Sequence, residues 1–372
     1  NVQPRLHRTA RYALIRAATN ASMQEMSFFM LTSDILQGIP VVYNTFFGYD
    51  EVAHHSGPRS PDAFKTLTQL DTGFRELRKA TADAPRPYHL VVLSDHGQSA
   101  GATFKQRFGH SLEDVVRQSV SSQHAVESFE GQSESMGNAS AAVSATLRNT
   151  GWVGDQVARR TPAGNPELRG STRPRETAGT MRDTDGHDIM VMASGNLGVI
   201  YFTSIPQRVM LEDLEVELPD LIPTLVAHPG VSFVMVHART DDEAVVIGPH
   251  GRRYLRSDRI DGMDPLANFL PTSRQHLLRS DTFTNVPDIM VMSMFDPETG
   301  ETAAFEELIG NHGGLGGPQQ EPFVFHPPAL QFPTTPVIGA AAVHLILKSW
   351  VPEDTTQNAV PSQSLKTVRH SV

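Results

Sequence analysis

The sequence contains no cysteine. That removes disulfide scaffolds, Cys-ligated zinc ribbons, iron–sulfur clusters and thiol nucleophiles together, so any bound metal must be held by imidazoles and carboxylates. It leaves the compartment open, because a chain without cysteine suits either side of a membrane. Positive charge is also in short supply: 31 Lys and Arg stand against 41 Asp and Glu, a net charge of −10 at pH 7. Phosphate-backbone binding needs a basic face, so a nucleic-acid surface is not expected. Long apolar runs are missing too. The longest, Pro336 to Leu347, is shorter than the roughly 18 residues of a membrane span and includes His344, so no segment is expected to cross a bilayer. The chain starts at Asn1 without an initiator Met or a basic-plus-apolar leader, which predicts a processed protein or one whose upstream part is missing.

What is present is an ordinary globular composition, with 39% hydrophobic and 19% charged residues spread over 372 positions. That length suits one large α/β domain or two medium ones. Apolar spacing predicts a helix from Pro4 to Gln37, closed by Gly38-Ile39-Pro40. Val41 to Phe47 reads as a buried strand, Pro61 to Thr81 as a helix, and Tyr88 to Leu93 as a second buried strand. Strand–helix–strand is the unit of a parallel sheet. Ser111 to Ser128 reads as helix. From Glu130 to Thr180 the chain is rich in Gly, Ser, Thr, Arg, Asn and Pro, which predicts a long loop with at most a short helix over Ala141 to Leu147. Asp188 to Ala193 and Leu197 to Phe202, separated by Ser194-Gly195-Asn196, predict a hairpin. A helix over Leu211 to Val226, strands over Val231 to His237, Ala244 to Gly248 and Ile289 to Met294, and a closing helix over Val337 to Trp350 complete the pattern. Residues 351–372 read as a polar tail.

Three loops combine metal-capable residues with the end of an apolar run, where open α/β sheets place their sites. In Tyr49-Asp50-Glu51-Val52-Ala53-His54-His55, a helical turn brings Asp50 and His54 to one side at i, i+4, and this spacing favours His54 over His55 as the partner. In Leu93-Ser94-Asp95-His96-Gly97 an oxygen and a nitrogen donor are adjacent, although an Asp capping a helix beside a bystander His reads equally well. In Gly310-Asn311-His312-Gly313-Gly314 one imidazole sits among glycines that allow close backbone approach. Together the loops supply two carboxylates and three imidazoles, a set that suits two neighbouring divalent cations clamping the oxygens of a phosphoryl transfer.

Other polar residues read as structural. A solvated turn accounts for Asp183, Asp185 and His187, and strand-end or turn roles for His237 and His250. Core packing explains the period-two methionines Met190, Met192, Met290, Met292 and Met294, and a solvated hairpin holds Arg252 and Arg253.

The order Asp-x-x-x-His, then Ser-Asp-His-Gly, then Gly-x-His-Gly-Gly resembles the alkaline phosphatase superfamily, nearest its type I phosphodiesterase/nucleotide pyrophosphatase branch, from about Tyr43 to Trp350. The resemblance implies an α/β, alkaline-phosphatase-like sandwich with a largely parallel central sheet flanked by helices. It spans residues 1–350, with the loop-rich insertion around residues 130–180. It implies one metal site from Asp50, His54 and His312 and a second from Asp95 and His96. The two ions would be zinc, with manganese the alternative, and the substrate a small phosphate ester. The implied activity is a metal-dependent phosphodiesterase or phosphatase; a phosphoglycerate mutase-like phosphotransferase and a non-catalytic metal-binding domain are the alternatives. In such a family a further Asp and a Thr or Ser nucleophile precede the Asp-x-x-x-His segment. Here the only Asp before Asp50 is Asp34, inside a helical pattern. The resemblance therefore places the nucleophile upstream of Asn1, with any membrane anchor or extracytoplasmic address there as well.

Overall fold

The structure, a computed structural model, describes residues 10–46, 48–120, 125–129 and 189–351. The expected loop over 130–180 with its short helix, the Asp183–His187 cluster and the tail after Val351 lie outside these residues. The chain divides into two compact units. The first comprises the described residues within Asn1–Gln24, Phe47–Leu70 and Ser94–Phe323; the second comprises those within Glu25–Phe46, Asp71–Leu93 and Val324–Val372.

Helix α1 (Ala10–Leu36) and helix α3 (Pro61–Ala80) follow the apolar spacing expected of them, with helix α2 (Tyr49–Ser56) between them in sequence. Pro61 opens α3 because its missing N–H is one of those a helix start leaves unpaired anyway, and Ser60 Oγ accepts from Ala63 N at 3.1 Å. In the second unit Leu31, Ile35 and Leu77 are buried together, and Val42, Phe46, Tyr88 and Leu90 pack on them. The rings of Phe28, Phe46 and Phe74 meet there, with Phe74 edge-on to both others at centroid distances of 5.6 and 5.3 Å. That packing explains a departure from expectation. Val41–Phe46 forms no strand: Val42 and Phe46 pack on helices rather than in a ladder, and Val41 and Tyr43 face solvent. Of Tyr88–Leu93 only β1 (Val92–Leu93) pairs, with the short strand β12 (Val324–Phe325), and the pairing is antiparallel. The expected parallel strand–helix–strand unit is thus not formed among the described residues. Helix α9 (Ala340–Ser349) closes this unit. Among the described residues no helix is long and apolar enough to cross a membrane.

The first unit is built on an eight-stranded sheet. Its strands are β3 (Val126–Phe129), β4 (Ile189–Ser194), β5 (Leu197–Phe202), β6 (Val231–Ala238), β7 (Glu243–Gly248), β8 (Gly251–Tyr254), β9 (Ile260–Gly262) and β10 (Ile289–Ser293). Their order is β3-β4-β5-β10-β6-β7-β8-β9. The α/β class expected from sequence is observed, but the sheet is mostly antiparallel instead of largely parallel: only β3 and β4 run side by side in one direction. The reason is connection length. β4–β5, β6–β7 and β7–β8 are joined by tight turns, which can only reverse the chain, whereas parallel neighbours need a long crossover.

Both faces of the sheet are covered, so its central strands read as continuous apolar runs. On one face Val234, Val236, Val245, Ile247, Ile289 and Val291 join the buried side chains of helices α5 (Leu112–Ser119), α6 (Leu211–Glu217) and α7 (Leu221–Ala227). On the other, Phe233, Met235, Val246, Met290 and Met292 pack with Leu255, Leu266, Leu315 and Leu277 of helix α8 (Ser273–Asp281). Met290 and Met292 are thus core, as their period-two spacing implies.

Two expected helices are shorter than read. The segment Leu211–Val226 is broken into α6 and α7 at Leu218-Pro219-Asp220, since a proline cannot supply the interior N–H of a continuing helix. The segment Ser111–Ser128 stops at Ser119, and Val126–Phe129 becomes β3, where β-branched Val126 pairs with Ile189. Helix α4 (Phe104–Phe108) precedes α5 and puts Phe104 fully inside the core.

Candidate metal centre

A two-stranded ladder, not the large sheet, assembles the site. Strand β2 (Ser99–Ala100) pairs antiparallel with β11 (Gly310–Asn311), Ser99 opposite Asn311. The turn that carries Asp95 and His96 leads into β2, and His312 leaves β11, so one short pairing brings together loops more than 200 positions apart. Helix α2 is tied to the same ladder. The main-chain oxygen of His54 accepts from Ile309 N at 2.8 Å, and His54 Nδ1 lies 2.8 Å from Gly310 O. Gly310 is required at this crossing: a Cβ there would sit 2.5 Å from Ala53 O and 2.4 Å from Gln98 Oε1.

The glycine-rich loop after β11 is held from the large sheet. Asn196, fully buried in the β4–β5 turn, donates from Nδ2 to Leu315 O at 2.8 Å and accepts from Gln319 Nε2 at 3.1 Å. Gln319 Nε2 also reaches Gly316 O at 2.8 Å, and Ser99 Oγ donates to Gly316 O at 2.8 Å. Gly195, at the first position of the same turn, has φ 58° and lies directly against the main chain of His312.

These supports place Asp50, His54 and His312 around one point: a carboxylate oxygen and two imidazole nitrogens, all within 4.8 Å of one another. His54 Nε2 is 3.2 Å from Asp50 Oδ2 and His312 Nε2 is 3.7 Å from Asp50 Oδ1. Gly310 O can only accept, so His54 donates from Nδ1 and leaves Nε2, turned toward Asp50, as the ring nitrogen that an ion could take in place of a proton. Burial alone would raise the Asp50 carboxyl, but the imidazoles of His312 and His54 outweigh it and hold its pKa far below the usual carboxylate range. Burial likewise opposes protonation of His54, and the Asp50 carboxylate overcomes this and raises its pKa. His312 Nε2 is buried with no partner at hydrogen-bond distance, Asp50 Oδ1 standing off at 3.7 Å. A buried polar atom left so costs about 1–3 kcal/mol, a cost that an ion bound at this nitrogen would remove. One oxygen and two imidazole donors fit zinc and other first-row divalent ions, and three protein ligands leave a coordination position open.

The other sequence-flagged residues are placed differently. His55 pairs with Glu51, at 3.3 Å from Nε2 to Oε1, on the next i, i+4 step of α2. The ring of His96 stacks on that of His312, with centroids 3.7 Å apart and planes at 25°. His96 Nδ1 lies 2.9 Å from Gly97 O, which fixes its tautomer as Gly310 fixes that of His54. Asp95 is not part of the three-residue group: its side chain is 80% exposed and its Oδ1 lies 3.5 Å from His96 Nε2. Asp34 lies within α1, so it does not follow a strand. His237 is engaged with Asp281, His250 sits in the β7–β8 turn, and Arg253 is paired with Asp258 and Asp264, all structural placements. The sequence reading missed Gln98, which is buried and donates from Nε2 to Asp50. A glutamine has no spacing signature; its position directly after Ser-Asp-His-Gly was the one available signal.

Comparison with curated proteins and with solved structures gave no match. Residues 9–169 match the model of the type I phosphodiesterase / nucleotide pyrophosphatase family, a match that includes Asp50, His54, Asp95 and His96 and leaves His312 outside it. Over residues 9–169 the chain is therefore similar in sequence to the type I phosphodiesterase / nucleotide pyrophosphatase family, consistent with the branch of the alkaline phosphatase superfamily that its Asp and His motifs resemble.

Proposed function

We propose that this chain is a metal-dependent hydrolase of phosphoric esters in which Asp50, His54 and His312 hold a divalent cation, zinc by its donor set, and His96 with Asp95 serves a second ion. The family match supports phosphoester hydrolysis in general. The observation that carries the finer reading is the convergence of three donor atoms from α2 and the glycine-rich loop within 4.8 Å. Asp50, His54 and His312 would hold a divalent cation whose charge, when bound, would offset that of a substrate's phosphoryl oxygens. The chain's own groups prepare for this. Asp50 stays ionised over the physiological range because His312 and His54 hold its pKa down against burial. Gly310 O and Gly97 O orient the imidazoles of His54 and His96, and the β2–β11 ladder sets their spacing. Both serine hydroxyls nearest in sequence to Asp95 are already engaged. Ser94 Oγ accepts from Phe323 N at 3.0 Å, and Ser99 Oγ donates to Gly316 O, so neither is assigned the attack on phosphorus.

The exposure of Asp95, outside the three-residue group, favours a second reading: a single-ion binding module without catalysis. Hydrolysis of bis(4-nitrophenyl) phosphate and 4-nitrophenyl phosphate, with zinc and with chelator, separates the two. Zinc-dependent release of nitrophenol that disappears in Asp50→Ala supports the hydrolase. Zinc bound without turnover supports the binding module, and no zinc bound at all contradicts both.

A further inference from the structure

We propose that Gln98 is a positioning residue, whose side-chain amide locks the Asp50 carboxylate so that Oδ2 is left facing the His54 imidazole. The inference rests on reading Asp50, His54 and His312 as one cation site. Gln98 stands between the Ser94–Gly97 turn and β2, and only 9% of it is exposed. Its Nε2 donates to Asp50 Oδ1 and, at 3.2 Å, to the main-chain oxygen of Asp50, so both amide protons are spent on one residue. The direction of the amide is forced by its partners. A carboxylate and a carbonyl can only accept, so Oε1 cannot occupy the position of Nε2. On the opposite side Oε1 lies against Gly310, so close that a Cβ there would come within 2.4 Å of it.

Asp50 needs such a clamp. It lies in the first turn of α2 with its side chain 48% exposed, and within the helix His54 meets only its Oδ2. With Oδ1 held by Gln98, Oδ2 is presented to His54 Nε2 at 3.2 Å. Unrestrained, the carboxylate would turn toward water, and the ion would have to order it on binding. The clamp also joins the two motif loops, since Gln98 belongs to the Asp95–His96 segment and Asp50 to α2. Donors that orient metal ligands from behind typically contribute 10–100-fold in metal affinity.

The test compares zinc affinity, measured by competition with a chromophoric chelator, in the wild-type chain, Gln98→Met, Gln98→Asn and Asp50→Ala. Visible spectra of the cobalt(II) forms and melting curves without metal are recorded alongside. Met keeps the length and removes the donors; Asn keeps the amide but retracts it by roughly 1.5 Å, one C–C bond. The expected result is a 10–100-fold loss of zinc affinity in both Gln98 variants, a changed cobalt spectrum, and loss of the site in Asp50→Ala. If the folded Gln98 variants bind zinc as tightly as wild type and keep its cobalt spectrum, whatever their melting temperatures, the positioning role is overturned while the metal site stands. If the wild-type chain binds no zinc, or Asp50→Ala binds as well as it does, the site reading fails and the inference fails with it.

Discussion

Replacing Gly195 by Ala tests how the large sheet holds the loop that carries His312. Gly195 has φ 58°, a left-handed conformation that costs an L-residue with a Cβ about 1–2 kcal/mol. The new methyl would lie 2.0 Å from His312 O, 3.0 Å from its carbonyl carbon and 3.1 Å from its nitrogen, all main-chain atoms that no rotamer change can move aside. Nor can the turn retreat. Gly195 N donates to Glu306 Oε2 at 2.6 Å and Gly195 O accepts from Phe305 N at 2.8 Å. Forced overpacking of this kind costs about 1–3 kcal/mol. The sum is about 2–5 kcal/mol, relieved only by pushing the main chain at His312 outward. A control separates the two contributions. Gly109 has φ 80° with nothing within 4 Å of a Cβ, so Gly109→Ala should lose only the conformational part, about 1–2 kcal/mol. Urea unfolding of both variants, read at equal slope, gives the difference, and zinc titration gives the consequence. Gly195→Ala should be the less stable of the two and should bind zinc more weakly, because ligand distances tolerate shifts of only about 0.2 Å. Equal stability of the two variants, with unchanged zinc affinity in Gly195→Ala, would refute the described contact between the β4–β5 turn and His312.

Two further outcomes follow from the first unit. Phe104 is fully buried, with its ring centroid 5.0 Å from those of Phe108 and Phe305 and 4.9 Å from that of His228, so Phe104→Ala should cost about 3–5 kcal/mol in urea unfolding. His228 should make stability fall on mild acidification. Gly230 N donates to its Nδ1 at 3.0 Å, so the neutral His228 ring carries its proton on Nε2, which lies 2.9 Å from His110 Nε2. Burial, then the neighbouring His110, lowers the His228 pKa below 6.5. Below that value the unfolded chain takes up the proton first, so this contribution is fully present above pH 6.5 and is lost as pH falls through the folded-state pKa. Unfolding free energy measured from pH 7.5 downward should therefore drop less steeply in His228→Gln than in wild type, and an equal slope would contradict the pairing.

The sequence was most informative where local pattern alone decides structure. Pro61 and the apolar spacing after it marked α3, and Gly195-Asn196 between two apolar runs marked the β4–β5 hairpin. Partner choice was not readable. Val41–Phe46 has the composition of a buried strand, yet an apolar run reports burial and not pairing, and Val42 and Phe46 pack on helices instead. The same gap hid β3, because Val126 acquires strand character from Ile189, 63 positions away. At the site, i, i+4 spacing correctly separated the Asp50–His54 pair from the Glu51–His55 pair one step along α2. Adjacency of Asp95 and His96 carried less information. Neighbours on an extended chain point in different directions, and here His96 turns to stack on His312 while Asp95 faces solvent. Gln98 and Gly310 were invisible as site residues because their roles arise only from a ladder between positions more than 200 apart.

The central claim is that Asp50, His54 and His312 converge on one cation. Anomalous diffraction at the zinc absorption edge from crystals of the zinc-loaded chain measures this directly. The account predicts a strong peak lying about 2.0–2.2 Å from a carboxylate oxygen of Asp50 and from Nε2 of both His54 and His312. No zinc peak among these three side chains, with His312 Nε2 outside bonding distance of any ion, would contradict it.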